Sequence, residues 1–147
     1  MTIIDKALQI SNAQVVTATA VSTDVIDAGA TKNPAIGRDL GGGTPLFLEI
    51  TIAQTFTAAG AATLAIALQD SADNATFNDV LSLPVLALSN LTVGTRFYIP
   101  LPAKLRRYLR ANYTVATGPM TAGIVNAQIV DGMTVERSYP DSLSKVV

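Results

Sequence analysis

Apolar and polar side chains alternate with a period of two along much of this chain, as in strands that turn one face to a core and the other to water. Leu109, Ala111, Tyr113 and Val115 alternate with Tyr108, Arg110, Asn112 and Thr114 until Gly118-Pro119 breaks the run. After Gly123 the alternation resumes, with Val125, Ala127 and Ile129 on one face and Ile124, Asn126 and Gln128 on the other. These two runs predict one β-hairpin or β-arch. Leu46, Leu48, Ile50 and Ile52, alternating with Phe47, Glu49 and Thr51, form the clearest short strand. A small-residue link from Phe56 to Ala62 separates it from its partner, in which Leu64, Ile66 and Leu68 alternate with Thr63, Ala65 and Ala67. Val80 to Leu88 is apolar but interrupted by Pro84, which predicts an edge strand or an irregular crossing because proline cannot donate to a ladder. Phe97, Ile99 and Leu101 alternate with Arg96 and Tyr98 until Pro100 and Pro102 stop the run.

Counted together, about eight strands separated by turns predict an all-β antiparallel sandwich or jelly roll rather than a parallel sheet. The rest of the chain is weakly patterned. Residues 1–20 hold no apolar stripe long enough for a helix and read as an extended N-terminal arm, although the Val, Thr and Ala content of Ala13 to Val21, and then Val25-Ile26, favours two further strands. Gly29 to Pro45 carries four further glycines, Pro34 and the pair Arg38-Asp39, and reads as a long loop of the kind that is functional or ordered by a partner. Residues 132–147 read as a C-terminal tail. The expected organisation is a single domain with a sandwich core over residues 13–131.

Composition narrows the function classes. With 147 residues, 49% hydrophobic but only 5% aromatic, the core is filled mainly by Ala, Val, Leu and Ile. Charged residues are only 14% and the formal net charge is -1, so little self-repulsion keeps copies apart and association is tolerated. There is no Cys and no His. That removes disulfides, thiolate metal sites and the usual Ser-His-Asp and Cys-His nucleophile systems, so an enzyme is not expected. No basic-then-apolar leader opens the chain, and polar residues interrupt every apolar run well short of a transmembrane span, so neither export nor membrane insertion is expected.

Three clusters remain as candidate chemistry. Lys104, Arg106, Arg107 and Arg110 place four of the ten basic residues within seven positions, either as a contact for an acidic protein surface or phosphate, or as a strand edge kept polar against self-pairing. Nucleic acid is disfavoured, because the chain is mildly acidic, with a pI near 5.2, and Tyr108 alone interleaves the cluster. Asp70, Asp73, Asn74 and Asp79 lack the alternating ligand spacing and late Glu of a calcium loop and read as turn residues. Gly41-Gly42-Gly43-Thr44 has no following Lys and leads into a strand rather than a helix, which argues against a phosphate cradle. The scattered carboxylates Asp5, Asp24, Asp27, Asp39, Glu49 and Glu136 do not identify a glycosidase pair, and the absence of Trp counts against a sugar platform.

The segments Phe56 to Leu64, Tyr98-Ile99-Pro100-Leu101-Pro102, and Arg107 to Val115 followed by Thr117 to Gly123, in this order and spacing, resemble the Bordetella-phage-type capsid cement proteins. The resemblance runs from about Ala13 to Asp131 and includes the Arg38-Asp39 loop; the tail beyond Asp131 is longer than the family pattern. It implies a jelly-roll-like sandwich with N-terminal and C-terminal arms, assembled as homotrimers on the outside of a tailed-phage head. It implies no catalytic residue, cofactor, metal, nucleic acid, membrane or small-molecule substrate. The implied partners are further copies of the chain and the major capsid protein. Arg38, Asp39, Lys104, Arg106, Arg107 and Arg110 are the candidate contact residues. The rivals are a carbohydrate- or receptor-binding module and a head-tail joining or tail protein.

Overall fold

A computed structural model describes residues 5–29 and 45–132. The described residues form ten strands and two 3-10 turns, Lys6–Leu8 ahead of the first strand and Leu88–Asn90 after the seventh. The strands are β1 (Gln9–Val15), β2 (Ala20–Val21), β3 (Ile26–Asp27), β4 (Phe47–Ala58), β5 (Thr63–Ser71), β6 (Asn78–Ser82), β7 (Leu86–Ala87), β8 (Arg96–Pro100), β9 (Tyr108–Ala116) and β10 (Met120–Val130). All pairings are antiparallel. One sheet has the order β1-β10-β4-β8; the other has β2-β9-β5-β6, with β3 also on β9 and β7 also on β5. The pairing is nested: β1 with β10, β2 and β3 with β9, β4 with β8, and β5 with β6 and β7. A long antiparallel hairpin rolled so that successive pairs fall alternately in the two sheets gives this arrangement.

The alternation seen in the sequence becomes the inside-outside alternation of the sandwich. Leu48, Ile50 and Ile52 of β4, Val125 and Ala127 of β10, Leu64 and Ile66 of β5, and Leu109, Ala111 and Tyr113 of β9 are all essentially without solvent exposure. Burying each Leu, Ile or Val among them stabilises the fold by about 1.5–3 kcal/mol relative to leaving it exposed, before entropy is counted. The Val80 to Leu88 stretch is a broken edge. β6 and β7 both lie on β5, separated by Pro84, whose missing N–H is harmless there.

Two expectations are corrected. The segment read as an N-terminal arm is an integral strand from Gln9 onward: β1 pairs with β10, and Ile10 and Val16 are fully buried. Its period-two signal is broken by register shifts between Gln9 and Gln14, and Ala13 takes a positive φ of 47°, so inward positions do not alternate simply. The short 46–52 strand continues to Ala58, which moves Phe56-Thr57-Ala58 out of the expected link and into the sheet. Phe56 stays in the core because it lies against Gly123 of β10, where any Cβ would overlap the ring. Beside it, the Thr57 and Thr121 hydroxyls share a hydrogen bond of 2.7 Å. The expected loop beyond Gly29, including Gly41 to Thr44, and the tail beyond Gly132 lie outside the described residues.

Candidate functional site

Arg38 and Asp39 also fall outside the described residues. The other four candidates lie in the turn between β8 and β9 and at the start of β9, but the structure does not gather them into one unpaired patch. Arg107 forms a two-pronged ion pair with Asp27 of β3, Nε to Oδ1 at 2.7 Å and Nη2 to Oδ2 at 2.8 Å, and its guanidinium lies over the Tyr108 ring. The Asp27 hydrogen bond holds the Arg107 pKa above its ordinary value. Arg106 donates its backbone N–H to Asp70 Oδ2 at 3.0 Å, and its Nε lies 3.9 Å from Oδ1 of the same carboxylate. Asp70 is buried, so this contact ties the turn to β5.

Arg110 projects outward from β9. It donates from Nε to Gln69 Oε1 at 2.8 Å, and its guanidinium carbon sits 3.7 Å from the centre of the Phe77 ring. Lys104 is exposed at a positive φ of 63°. The basic segment therefore spends much of its charge fastening the β8–β9 turn to β3 and β5. Lys104 and Arg106 are exposed and Arg110 and Arg107 half-buried, so the segment keeps accessible charge beside these fastenings.

A second polar assembly, which sequence reasoning missed, lies on the outer face of the four-stranded sheet. Strand register sets Gln9, Gln128, Glu49 and Tyr98 in one row across all four strands. Glu49 is only 3% exposed despite pointing away from the core. Its Oε1 accepts from the Tyr98 hydroxyl at 3.1 Å, its Oε2 accepts from Gln128 Nε2 at 2.7 Å, and Arg96 Nε stands 3.9 Å away. Hydrogen-bond donors and a nearby cation are what a buried carboxylate needs. With Asn12, Thr51 and Asn126, members of these rows line a recess of about 260 Å³ suited to a small polar group. The signal available in the sequence was Glu49 alternating with apolar neighbours. The missing signal was the cross-strand register, which places the amides beside it.

The acidic segment behaves as a turn. Asp73 Oδ1 accepts from the backbone N–H groups of Ala75 at 3.0 Å and Thr76 at 2.9 Å, and from the Ser71 hydroxyl at 2.8 Å. Those bonds, the Thr76 N–H first, hold its carboxyl down to a pKa of about 2. Among the described residues no three Asp, Glu, His or Cys side chains converge to hold a metal ion.

Polarity also enters the core at one place. Tyr113 Oη and Ser11 Oγ lie 2.7 Å apart, and Ser11 Oγ donates to Gln14 Oε1 at 2.7 Å. Burial pushes the Tyr113 phenol up to about 12. This network locks β1 onto the opposite sheet, and no buried side-chain N or O atom among the described residues is left without a partner.

Fold and surface define an antiparallel β-sandwich protein with its polar groups set in turns and on sheet faces. The chain belongs to the Bbp16 family, whose model matches residues 10–129. The match opens at Ile10 in β1 and closes at Ile129 in β10, spanning the sandwich from its first strand to that strand's partner. The family bears the name of a Bordetella phage protein. No curated protein matches the chain.

Proposed function

We propose that this chain is a non-enzymatic capsid cement protein: it binds the outside of a tailed-phage head as a homotrimer and strengthens the shell by bridging major capsid protein subunits. Membership of the Bbp16 family over residues 10–129 carries this reading. The nested strand pairing supports a jelly roll, the fold expected for such a protein. A bridge that binds only the assembled shell stabilises it by mass action, and several weak contacts per trimer sum through effective concentration. Synthesis takes place in the host cytoplasm, and the final location is the virion exterior. Lys104, Arg106 and Arg110 are the basic contact residues of this reading, together with Arg38 and Asp39; Arg107 serves first to hold the turn through Asp27.

The test is co-sedimentation with matching shells that lack the protein, over a salt series, together with the shells' resistance to heat. Wild-type protein is expected to bind and to raise the disruption temperature. Lys104→Glu with Arg110→Glu is expected to weaken binding most at low salt, where exposed charges act over a Debye length of about 10 Å or more. Absence of wild-type binding sinks the cement reading. A binding module for a saccharide or receptor is the second reading, favoured by the amide-lined recess around Glu49. Chemical-shift changes at the Gln9, Asn126 and Gln128 side-chain amides on adding a monosaccharide, without shell binding, would favour it instead.

A further inference from the structure

The recess on the outer face of the four-stranded sheet is built from two neighbouring cross-strand rows. Gln9, Gln128 and Glu49 stand in one, Asn126, Thr51 and Arg96 in the next, and Asn12 borders them from the bulged stretch of β1. Its charges offset one another. The buried Glu49 carboxylate lies 3.9 Å from Arg96 Nε, and Lys6, which reaches Gln9, is paired with Asp24 at 3.4 Å.

The partner of each amide fixes which end of it is left over. A backbone N–H can only donate, so Asn126 Oδ1 takes the 2.6 Å bond from Ala13 and Nδ2 remains. A carboxylate can only accept, so Gln128 turns Nε2 to Glu49 at 2.7 Å and keeps Oε1. An ammonium can only donate, so Gln9 Oε1 faces Lys6 Nζ at 3.3 Å and Nε2 remains. Within the described residues these three leftover groups, the Asn12 amide and the Thr51 hydroxyl have no side-chain hydrogen-bond partner. They are open to solvent, since no buried side-chain N or O atom there lacks a partner. The recess thus offers two oriented NH2 donors and one oriented carbonyl acceptor, with a hydroxyl and an amide that turn either way.

We infer that this recess is a socket for an uncharged amide, a carboxamide side chain or a main-chain peptide group, presented by a capsid subunit. An amide brings a carbonyl oxygen to the NH2 donors and an N–H to the Gln128 carbonyl at the same time. A carboxylate has no proton for Gln128 Oε1 and meets the negative Glu49; an ammonium has no acceptor for the NH2 groups and meets Arg96. Either charge must also be dehydrated to enter. Sugar hydroxyls match the polar groups, but no aromatic or aliphatic side chain lines the recess to cover the apolar face of a sugar ring. The source of the amide rests on the cement reading; the chemistry of the socket does not.

NMR titration of the full-length protein with three probes of like shape, propionamide, propionate and propylammonium, tests that chemistry. Propionamide is expected to shift the Gln9, Asn126 and Gln128 side-chain amides saturably, with millimolar affinity, and the charged probes to bind at least about tenfold more weakly. Glu49→Gln removes the negative charge beside Arg96, so in that variant propionate is expected to overtake propionamide, a reversal that a merely structural role for Glu49 does not produce. Asn12→Leu changes an exposed position outside the ion pair and should abolish the propionamide shifts at an unchanged melting temperature. If the Glu49 variant does not fold, the order of the three probes and Asn12→Leu still decide. No saturable propionamide shift, or equal binding of all three probes, overturns the inference. Shifts from methyl glucoside without shifts from propionamide overturn it in favour of the saccharide reading. In co-sedimentation with shells, Asn12→Leu is expected to bind at least about tenfold more weakly than wild type. Equal binding of the two removes the capsid subunit from the socket while the cement reading stands, and absent wild-type binding sinks that reading while the probes still decide the socket. Self-association lost in Asn12→Leu at unchanged shell binding overturns the capsid source and assigns the amide to a second copy.

Discussion

Gly123→Ala tests the packing that carries β4 past Ile52. Gly123 is a buried residue of β10, and an added Cβ would fall onto Cγ, Cδ1 and Cε1 of the Phe56 ring, far inside van der Waals contact. The ring has little room to retreat, because Phe56 is 2% exposed and its backbone N–H is bonded to the carbonyl of Leu91, itself fully buried. Either the strands separate locally or the ring leaves the core. Overpacking costs about 1–3 kcal/mol and loss of a buried Phe about 1.5–3 kcal/mol, so the substitution should cost about 1–3 kcal/mol by whichever route is cheaper. For a domain of this size, at about 4 °C per kcal/mol, that is a fall in melting temperature of about 4–12 °C.

Urea unfolding followed by circular dichroism, on a double-mutant cycle, separates this from a general weakness of β10. Phe56→Ala alone should cost about 3–5 kcal/mol by leaving a cavity beside Gly123. In the double variant the new methyl group meets that cavity instead of a ring, so the combined cost should fall short of the sum by about 1–2 kcal/mol. A Gly123→Ala midpoint equal to that of wild type, or a cycle additive within about 0.5 kcal/mol, would refute the close-approach argument.

Three further outcomes follow from particular residues. Ile10→Ala should destabilise the protein by about 2–5 kcal/mol, since β1 is core rather than arm; an unchanged urea midpoint would return the segment to the role of an arm. Asp73 has a folded pKa depressed to about 2, so its contribution to stability is present above its unfolded value of 3.8 and lost as pH falls through about 2. A carboxyl NMR titration should show that midpoint along with shifts of the Ala75 and Thr76 amides, and a midpoint at the unfolded value contradicts the turn. Tyr113 is raised from 10.0 to about 12, so the preference of the fold for its neutral phenol is fully present below pH 10.0 and lost as pH rises through about 12. Ultraviolet titration should show a late-ionising phenol that Tyr113→Phe removes; identical curves contradict its burial.

The strands legible in the sequence are those whose inward positions keep strict alternation. β5 and β9 are regular over their whole mutual pairing, from Thr63 opposite Ala116 to Ser71 opposite Tyr108, and the sequence displays both. β1 was hidden because bulges and the positive φ of Ala13 take Ile10, Ser11, Gln14 and Val16 inward at uneven spacing. The second half of β4 was hidden because the bulge between Ile52 and Gln54 interrupts the pattern, and because the partner of Phe56 is a glycine with no side chain to announce it. Local alternation reports a strand and one of its faces. It does not report which residue of a distant strand stands opposite.

The same limit explains why the basic cluster was easier to find than to interpret. Four cations within seven positions are visible at once, but Asp27 and Asp70, which engage two of them, lie 80 and 36 positions away from Arg107 and Arg106 respectively. Both carboxylates read locally as turn or strand-end residues; once β3 and β5 flank β9, they become anchors of the β8–β9 turn. Reversing Arg107 would therefore remove a fastening as well as a surface charge, and a loss of shell binding in that variant would not distinguish the two. Reversing Lys104 and Arg110 leaves both ion pairs in place. A salt-dependent loss of attachment in that variant, at an unchanged melting temperature, would isolate the electrostatic contact from the fold that presents it.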